Sequence, residues 1–402
     1  MKYFVLIPDG MADRPIPELS GKTPMDCAVK PNMDALCKRS LCGVSLNVPE
    51  TMVPESDTAN LAILSYNPLV YSKGRSPLEA MSMGLTMADD DTAIRCNVVT
   101  LSEDEECYED RIMLDHSADE ITTAEADELI KALNEGLSDS EKHLYTGVSY
   151  RHCLLWKNAD AKFPFDRPHD IIGQRIGEYL PKGEGGEAFL EFQKKGYEIL
   201  KDHPVNLARK ARGLRPANSP WLWSPGTKPA LPSFYDKWGK KGAIISAVDL
   251  IKGIGICAGM DVIDVEGATG NCHTNYDGKA NAAIKCFEDG CDFVYVHVEG
   301  PDECGHRGEI ENKVMSIEKI DALILRPVYD YLCGCGEDFK IMVLPDHPTP
   351  IEIRTHSSEH VPFFIYDSRE DKNGPDTFNE ITAGEAGYTV DDGSTLLDLM
   401  FN

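Results

Sequence analysis

Apolar runs alternate with amphipathic stretches at both ends of the chain. Residues 2–10 (KYFVLIPDG), 292–300 (DFVYVHVEG) and 340–347 (KIMVLPDH) each have the pattern of a buried strand that ends in polar residues. The stretch that follows Glu311 shows near-helical spacing of Val314, Ile317, Ile320, Leu323 and Leu325. Continuous apolar strands alternating with helices are typical of a parallel sheet covered on both faces. The pattern therefore predicts an α/β fold with a doubly wound, mostly parallel sheet.

The middle of the chain differs in composition from both ends. It contains an acidic segment at 88–91 (ADDD) and a Trp- and Pro-rich segment at 215–226 (RPANSPWLWSPG). Because strand-helix units lie on either side of this region, we predict one domain from residues 1–88 with 236–402 and a smaller α+β domain inserted at 89–235.

The charge of the chain restricts its partners. With 40 Lys+Arg against 67 Asp+Glu, the net charge is −27, which opposes binding to nucleic acid and to anionic membranes. No segment reaches the length of about 18 apolar residues that a membrane span needs. An anionic substrate must therefore be bound by local arginines, lysines or metal ions.

The 13 cysteines are scattered and show no zinc-ribbon pairs. An odd number of dispersed cysteines is typical of free thiols in a reducing compartment. We therefore predict a cytoplasmic protein.

Metal-type ligands follow the ends of several predicted strands. In open parallel sheets, functional groups collect beyond the carboxyl ends of the strands. Carboxylates together with imidazoles suit Zn²⁺, Mn²⁺ or Co²⁺, and two such ions need about six or seven ligands. The candidates are Asp9, Asp302, His306, Asp346, His347 and His356.

Ser56 is a further candidate ligand and the candidate nucleophile. It precedes an apolar helical run in the segment PESDTANLAILSYNP (54–68), so it lies at or near a helix N-terminus, which favours an anion. A serine hydroxyl next to a divalent cation loses its proton more easily and becomes nucleophilic. Taken singly, Ser56 is typical of an ordinary helix cap and Asp9 of a turn residue; the combination favours a metal site.

The motifs as a group carry a resemblance to a known family. The segments PDGMADRP, PESDTANLAILSYNP, GRSPLEA, GATGNCHTNYDGKA, VHVEGPDECGHRG and LPDHPTPIEIRTHSSEHVPF resemble those of the archaeal-type, cofactor-independent phosphoglycerate mutases of the alkaline phosphatase superfamily. The resemblance runs through nearly the whole chain. It implies an alkaline phosphatase-like, metal-binding catalytic domain with an inserted substrate or cap domain.

The resemblance also implies ligand sets and a reaction. One metal would be held by Asp302, His306 and His356, and the other by Asp9, Ser56, Asp346 and His347. Ser56 would take the phosphate of 3-phosphoglycerate and return it to the 2-hydroxyl of glycerate, without bisphosphoglycerate as cofactor. A phosphotransferase of the same site chemistry acting on another acceptor, such as a homoserine kinase, is the alternative.

The small phosphorylated acid expected as substrate needs cations for its carboxylate and phosphate. Arginine suits both groups because its planar fork binds them bidentately. Each candidate could instead be a surface charge or a structural ion pair, and His152 or His169 could carry a proton to the departing glycerate. The candidates are Arg75, Arg95, Arg151, His152, Arg215 and Lys279.

Overall fold

The computed structural model describes residues 1–402, which form two compact units. The large unit consists of residues 1–72 and 230–402, and the inserted unit consists of residues 73–229.

The inserted unit begins earlier than the predicted boundary at residue 89. The helix Ser76–Ser82 packs on the strands Asp91–Leu101 and Ser219–Thr227, and for that reason it belongs to the inserted unit. The roles predicted for the two domains stay predictions.

The strands and helices have the following bounds. In chain order the strands are β1 Lys2–Pro8, β2 Leu41–Ser45, β3 Asp91–Leu101, β4 Met113–Asp115, β5 Lys142–Val148, β6 Arg151–Lys157, β7 Ser219–Thr227, β8 Gly242–Ile245, β9 Asp261–Ile263, β10 Phe293–Val298, β11 Phe339–Val343, β12 Val361–Asp367 and β13 Thr389–Val390. The α-helices are α1 Pro24–Cys27, α2 Pro31–Cys37, α3 Ser56–Ile63, α4 Pro68–Tyr71, α5 Ser76–Ser82, α6 Thr123–Leu137, α7 Glu187–Leu200, α8 Pro204–Ala211, α9 Phe234–Trp238, α10 Asp249–Cys257, α11 Tyr276–Glu288, α12 Gly300–Arg307, α13 Ile310–Ile320, α14 Arg326–Gly334, α15 Glu380–Glu385 and α16 Leu396–Phe401. None of these helices combines the length and the apolar character that a membrane crossing requires.

The helix predicted after Glu311 is present and long. It comprises α13, a π-helical turn at Asp321–Leu325 and α14. Its apolar stripe packs into the core of the large unit through Ile317, Ile320 and Leu325.

An eight-stranded sheet forms the centre of the large unit, in the order β13-β2-β12-β11-β1-β10-β8-β9. β1 runs parallel to both of its neighbours, β10 and β11, while β12 runs antiparallel to β11 and β2. The predicted α/β class with a mostly parallel sheet is confirmed. Because Pro8 pairs with Val298 and Leu6 with Val343, the loops after β1, β10 and β11 leave the sheet at one edge.

The two faces of β10 differ in chemistry although the whole strand is buried. Val294, Val296 and Val298 belong to the apolar core, whereas Tyr295 and His297 alternate with them on the opposite face. A buried strand rarely carries polar side chains unless they have partners. Tyr295 and His297 find theirs at the candidate site described below.

The inserted unit is an α+β structure with five strands. Its sheet has the order β4-β3-β6-β5, with β7 also paired to β3, and the pairings are antiparallel. Helices α6 and α7 pack on this sheet and on each other. The expectation of a smaller α+β region separate from the parallel sheet is confirmed.

Candidate active site

The seven predicted ligands lie in the large unit, close to the carboxyl edge of its sheet. Asp9 directly follows β1, Asp302 and His306 lie in α12 just after β10, and Asp346 and His347 follow β11. The remaining two ligands are Ser56, which begins α3, and His356, which lies in the loop before β12.

Gly10 permits the close approach of these loops. It has a φ of +61°, and a Cβ atom there would lie 2.7 Å from the Cα atom of Asp302 and would overlap Thr349. A side chain at residue 10 would therefore push Asp9 and Asp302 apart.

Asp302, His306 and His356 form the first cluster. The Nε2 atom of His306 lies 3.3 Å from Asp302 Oδ2, and the Nε2 atom of His356 lies 3.3 Å from Asp302 Oδ1. The two Nε2 atoms are only 2.9 Å apart. The two Nε2 atoms therefore lie close to each other, and each lies close to one oxygen of the Asp302 carboxylate.

The other ring nitrogens show which atoms are free to bind a cation. His306 Nδ1 lies 3.0 Å from the carbonyl oxygen of Arg354, and His356 Nδ1 lies 2.8 Å from that of Pro54. A carbonyl can only accept, so each Nδ1 carries the proton and each neutral ring has its lone pair on Nε2. Two lone pairs and a carboxylate that face one another fit a divalent cation.

The pKa values in this cluster reflect the same close contacts. Burial alone would raise the pKa of Asp302, but the contacts with His306 and His356 outweigh burial and hold it well below its usual value. The hydrogen bond with Asp302 raises the pKa of His306 to about 9. The cluster thus attracts positive charge, whether a proton or a cation supplies it.

Asp9, Ser56, Asp346 and His347 form the second cluster. His347 Nε2 lies 3.1 Å from Ser56 Oγ, 3.5 Å from Asp346 Oδ2 and 3.6 Å from Asp9 Oδ1. Asp9 Oδ1 is buried and has no hydrogen-bond partner. A buried carboxylate oxygen without a partner is costly unless a cation binds it, so this cluster also fits a divalent cation.

Asp9 has the more strongly perturbed carboxyl group of this cluster. Burial, together with the negative charges of Asp346 and Asp302, raises its pKa well above the usual value. Three carboxylates in one buried site repel each other, and divalent cations would relieve that repulsion.

Asn60 and Tyr295 support the second cluster. The amide of Asn60 donates to Asp346 Oδ2 and to the carbonyl oxygen of Ser56, both at 2.8 Å. Tyr295 donates its hydroxyl proton to Asn60 Oδ1. This chain of hydrogen bonds fixes Asp346 relative to the first turn of α3.

Comparisons with known proteins identify the family of this chain. Residues 37–206 match the family model of the 2,3-bisphosphoglycerate-independent phosphoglycerate mutases. A probable enzyme of this name from Geobacter sulfurreducens is 44% identical over 403 residues, which cover 100% of both chains. The chain belongs to the 2,3-bisphosphoglycerate-independent phosphoglycerate mutase family. The members of this family are isomerases.

Solved structures show the same fold. A protein from Pyrococcus horikoshii is 29% identical, with a TM-score of 0.82 over 99% of this chain and 96% of its own. The cofactor-independent phosphoglycerate mutase from Thermoplasma acidophilum is 25% identical, with a TM-score of 0.68 over 100% and 99% of the two chains. The family resemblance inferred from the motifs is therefore confirmed.

Among the predicted substrate residues, only Lys279 lies in the large unit of the chain. It is buried in α11, and its Nζ atom donates to the carbonyl oxygen of His297 at 2.7 Å. Burial lowers the pKa of Lys279 to about 8. The bond to β10 places Lys279 beside the strand that leads to Asp302.

The other five predicted substrate residues belong to the inserted unit, where Arg95 is already paired. Arg95 binds both carboxylate oxygens of Glu79, and its guanidinium lies 4.5 Å from the centre of the Trp223 ring. Arg151 is exposed and lies over Tyr150. A role of either arginine in substrate binding stays a prediction.

Arg215 also has acidic partners, and Arg75 borders a helix. The Arg215 guanidinium lies 3.2 Å from Asp115 and 3.8 Å from Asp119. Arg75 immediately precedes α5. The predicted substrate roles of both residues also remain untested.

The two histidines considered as proton carriers differ in burial. His152 is buried in β6, its Nδ1 atom accepts a hydrogen bond from the backbone of Gly147 at 3.2 Å, and burial lowers its pKa to about 4. His169 is half exposed and packs edge-on against Trp223. His152 is therefore neutral at physiological pH and cannot bind an anion by charge.

Sequence reasoning missed five polar residues around the clusters. Thr349 donates its hydroxyl proton to Asp302 Oδ1, and burial raises the pKa of Glu299 to about 8. Three of the five occupy alternate positions of one buried segment, YVHVE, and this period of two was the available signal. The five residues are Asn60, Tyr295, His297, Glu299 and Thr349.

Proposed function

We propose that this chain interconverts 3-phosphoglycerate and 2-phosphoglycerate through a phosphoserine formed on Ser56. The observation that carries the proposal is the position of the Ser56 hydroxyl, at the first residue of α3 and 3.1 Å from His347 Nε2 in a cluster of ligand-type side chains. Membership of the mutase family supports the choice of substrate.

We infer that the two clusters hold two divalent cations, Mn²⁺, Zn²⁺ or Co²⁺. Asp302, His306 and His356 would hold one, and Asp9, Ser56, Asp346 and His347 the other. Bound cations neutralise the phosphoryl oxygens and lower the pKa of a neighbouring hydroxyl. The mixed carboxylate and imidazole donors support this assignment.

The chain's own residues account for the rest of the reaction. Ser56 Oγ gives up its proton and forms a bond to phosphorus while the bond from phosphorus to the glycerate 3-oxygen breaks, and that oxygen takes up a proton. The 2-hydroxyl of the same glycerate then gives up a proton and attacks the phosphorus, which releases Ser56. The first N–H groups of α3 favour the negative charge of the phosphate in both halves.

Retention of glycerate distinguishes a mutase from a phosphatase. If glycerate left, water would hydrolyse the phosphoserine. We propose that residues 73–229 act as the substrate domain that excludes water and supplies cations for the glycerate carboxylate. Arg75, Arg95, Arg151 and Arg215 are the candidate cations there, with Lys279 in the large unit, and the neutral His152 is a candidate for proton transfer only.

The test is a coupled assay from 3-phosphoglycerate to 2-phosphoglycerate on purified protein that has been chelated and reloaded with Mn²⁺ or Zn²⁺. We expect metal-dependent turnover without added bisphosphoglycerate, and its loss in Ser56→Ala. Mass spectrometry of acid-quenched wild-type protein should find a phosphoryl group on Ser56. Ser138→Ala, which removes a hydroxyl at the end of α6 in the inserted unit, serves as the matched control and should keep full activity.

Two outcomes would contradict the proposal. Full activity of Ser56→Ala would exclude Ser56 as the nucleophile. Absence of mutase turnover from folded, metal-loaded protein would exclude the mutase reaction, and transfer from ATP to homoserine by that protein would establish the phosphotransferase instead.

A further inference from the structure

His297 is a fully buried histidine that has no role in the proposed reaction. It lies on β10 with 0% exposure, on the face opposite the valines of the core. Its Nδ1 atom is 3.2 Å from Ser246 Oγ, and its Nε2 atom is 3.1 Å from Asp9 Oδ2. The imidazole ring thus connects the end of β8 with a candidate metal ligand.

The hydrogen bonds of Ser246 are compatible with a proton on Nε2 of His297. The backbone N–H of Val248 donates to Ser246 Oγ at 3.0 Å, and the hydroxyl keeps its own proton, which it can donate to His297 Nδ1. Donation to His297 Nδ1 leaves the proton of the neutral ring on Nε2. That N–H then faces Asp9 Oδ2.

The two oxygens of the Asp9 carboxylate have different surroundings. Oδ1 has no hydrogen-bond partner and faces His347 Nε2 at 3.6 Å, whereas Oδ2 faces His297. His297 Nε2 lies 3.1 Å from Asp9 Oδ2 but has no hydrogen-bond partner in this geometry, so completing the bond requires a change in the orientation of the ring or of the carboxylate.

We propose that His297 is a positioning residue that holds Asp9 Oδ2 and so presents Asp9 Oδ1 to the cation shared with Ser56, Asp346 and His347. Ser246 fixes the ring in the donating form. Donation to Oδ2 also offsets part of the cost of burying the Asp9 carboxylate. The inference rests on the two-cation site of the proposed function.

The test compares variants that differ in the donor. His297→Leu removes the N–H at similar volume, whereas the amide of His297→Gln can donate from nearly the same position. Ser246→Ala leaves the ring and removes the group that orients its proton. Val296→Ala weakens the same strand on the opposite face and is the matched control, because its side chain lies in the apolar core.

The measurement is Mn²⁺ binding to chelated protein by titration calorimetry, with electron paramagnetic resonance to count coupled ions. We expect wild-type protein to bind two Mn²⁺ ions with a coupled spectrum. In His297→Leu one affinity should fall by about 10–100-fold, with single-ion spectra at limiting Mn²⁺, while the other affinity changes by less than about 3-fold. His297→Gln should keep most of the wild-type affinity for that ion, and Ser246→Ala should lower the same affinity by less than His297→Leu does.

The control should lower the melting temperature and leave both affinities unchanged. Equal weakening of both ions in His297→Leu, or the same selective loss in Val296→Ala, would overturn the positioning role in favour of a structural one. A loss in His297→Gln as complete as in His297→Leu would overturn it in favour of His297 as a direct ligand. If wild-type protein does not bind two Mn²⁺ ions, the two-cation site itself fails, which the wild-type titration alone reveals.

Discussion

The large unit and the inserted unit both contain clusters of ionisable side chains, but the clusters differ in their unused bonding capacity. In the large unit, Asp9 Oδ1 is buried without a partner and the Nε2 atoms of His306 and His356 face each other. In the inserted unit, the guanidinium groups of Arg95 and Arg215 already contact carboxylates.

Buried atoms without partners also occur in the inserted unit, His152 Nε2 among them, so the difference concerns the charged groups, and it supports a cation site in the large unit. Burying polar atoms without partners costs free energy, so such atoms persist where something else binds them. In the inserted unit, Arg95 pairs with Glu79 and Arg215 with Asp115, so neither arginine lacks an acidic partner.

Removal of a ligand from the first cluster should have the largest effect. His356→Ala deletes one of the three predicted ligands of this cluster, so we expect loss of one bound metal and a fall in kcat of at least about 1,000-fold, equivalent to about 4 kcal/mol. The measurement is metal content with steady-state kinetics. His360→Ala is the matched control, because His360 is an exposed histidine four residues further on, and comparable losses in both variants would refute the ligand assignment.

Asn60→Ala should have the second largest effect. The variant removes the two donors that hold Asp346 and Ser56, and we expect kcat to fall by about 10–100-fold with a smaller change in KM. Tyr295→Phe removes only the hydroxyl behind Asn60 and should cost less than about 10-fold. A change in KM alone would show that Asn60 contacts substrate and does not position the nucleophile.

Arg95→Ala tests whether the paired arginine of the inserted unit has a structural role. It leaves Glu79 without its partner and removes the contact with Trp223, so we expect a loss of about 1–3 kcal/mol in the free energy of unfolding. A double-mutant cycle with Glu79→Gln, followed by denaturant unfolding, measures the coupling. A large rise in KM without loss of stability would instead identify Arg95 as a substrate ligand.

The smallest expected effect is a pH-dependent one at Asp115. Burial would raise the pKa of Asp115, but the backbone N–H groups of Asp119 and Ser117 and the Arg215 side chain outweigh burial and lower it. A depressed carboxyl pKa stabilises the fold above about pH 4, the unfolded value, and that contribution is lost as pH falls through the folded value. We therefore expect Asp115→Asn to lower the melting temperature by about 2–4 °C at pH 7, with the difference from wild type closing below about pH 4. A constant difference across pH would contradict this account.

The sequence by itself determined the fold class and the family, and it proposed the seven candidate ligands, whose role stays a prediction. These rest on local signals: apolar runs that end in Asp9, Asp302 and Asp346, and a helix that begins at Ser56 as predicted. Local signals of this kind predict the structure well, because the residues next to a strand end or a helix start define its position.

Only the tertiary structure showed which residues contact those ligands and which carboxylates already pair with the arginines predicted to bind substrate. His297 reaches Asp9 because the register pairs Pro8 with Val298, and Arg95 meets Glu79 because α5 packs on β3. Because of the same packing, the inserted unit begins at residue 73, whereas the sequence predicted residue 89. Contacts between distant segments depend on strand register and on helix packing. Apolar periodicity in one sequence does not specify either, because it shows which face of an element is buried and not which residues that face contacts.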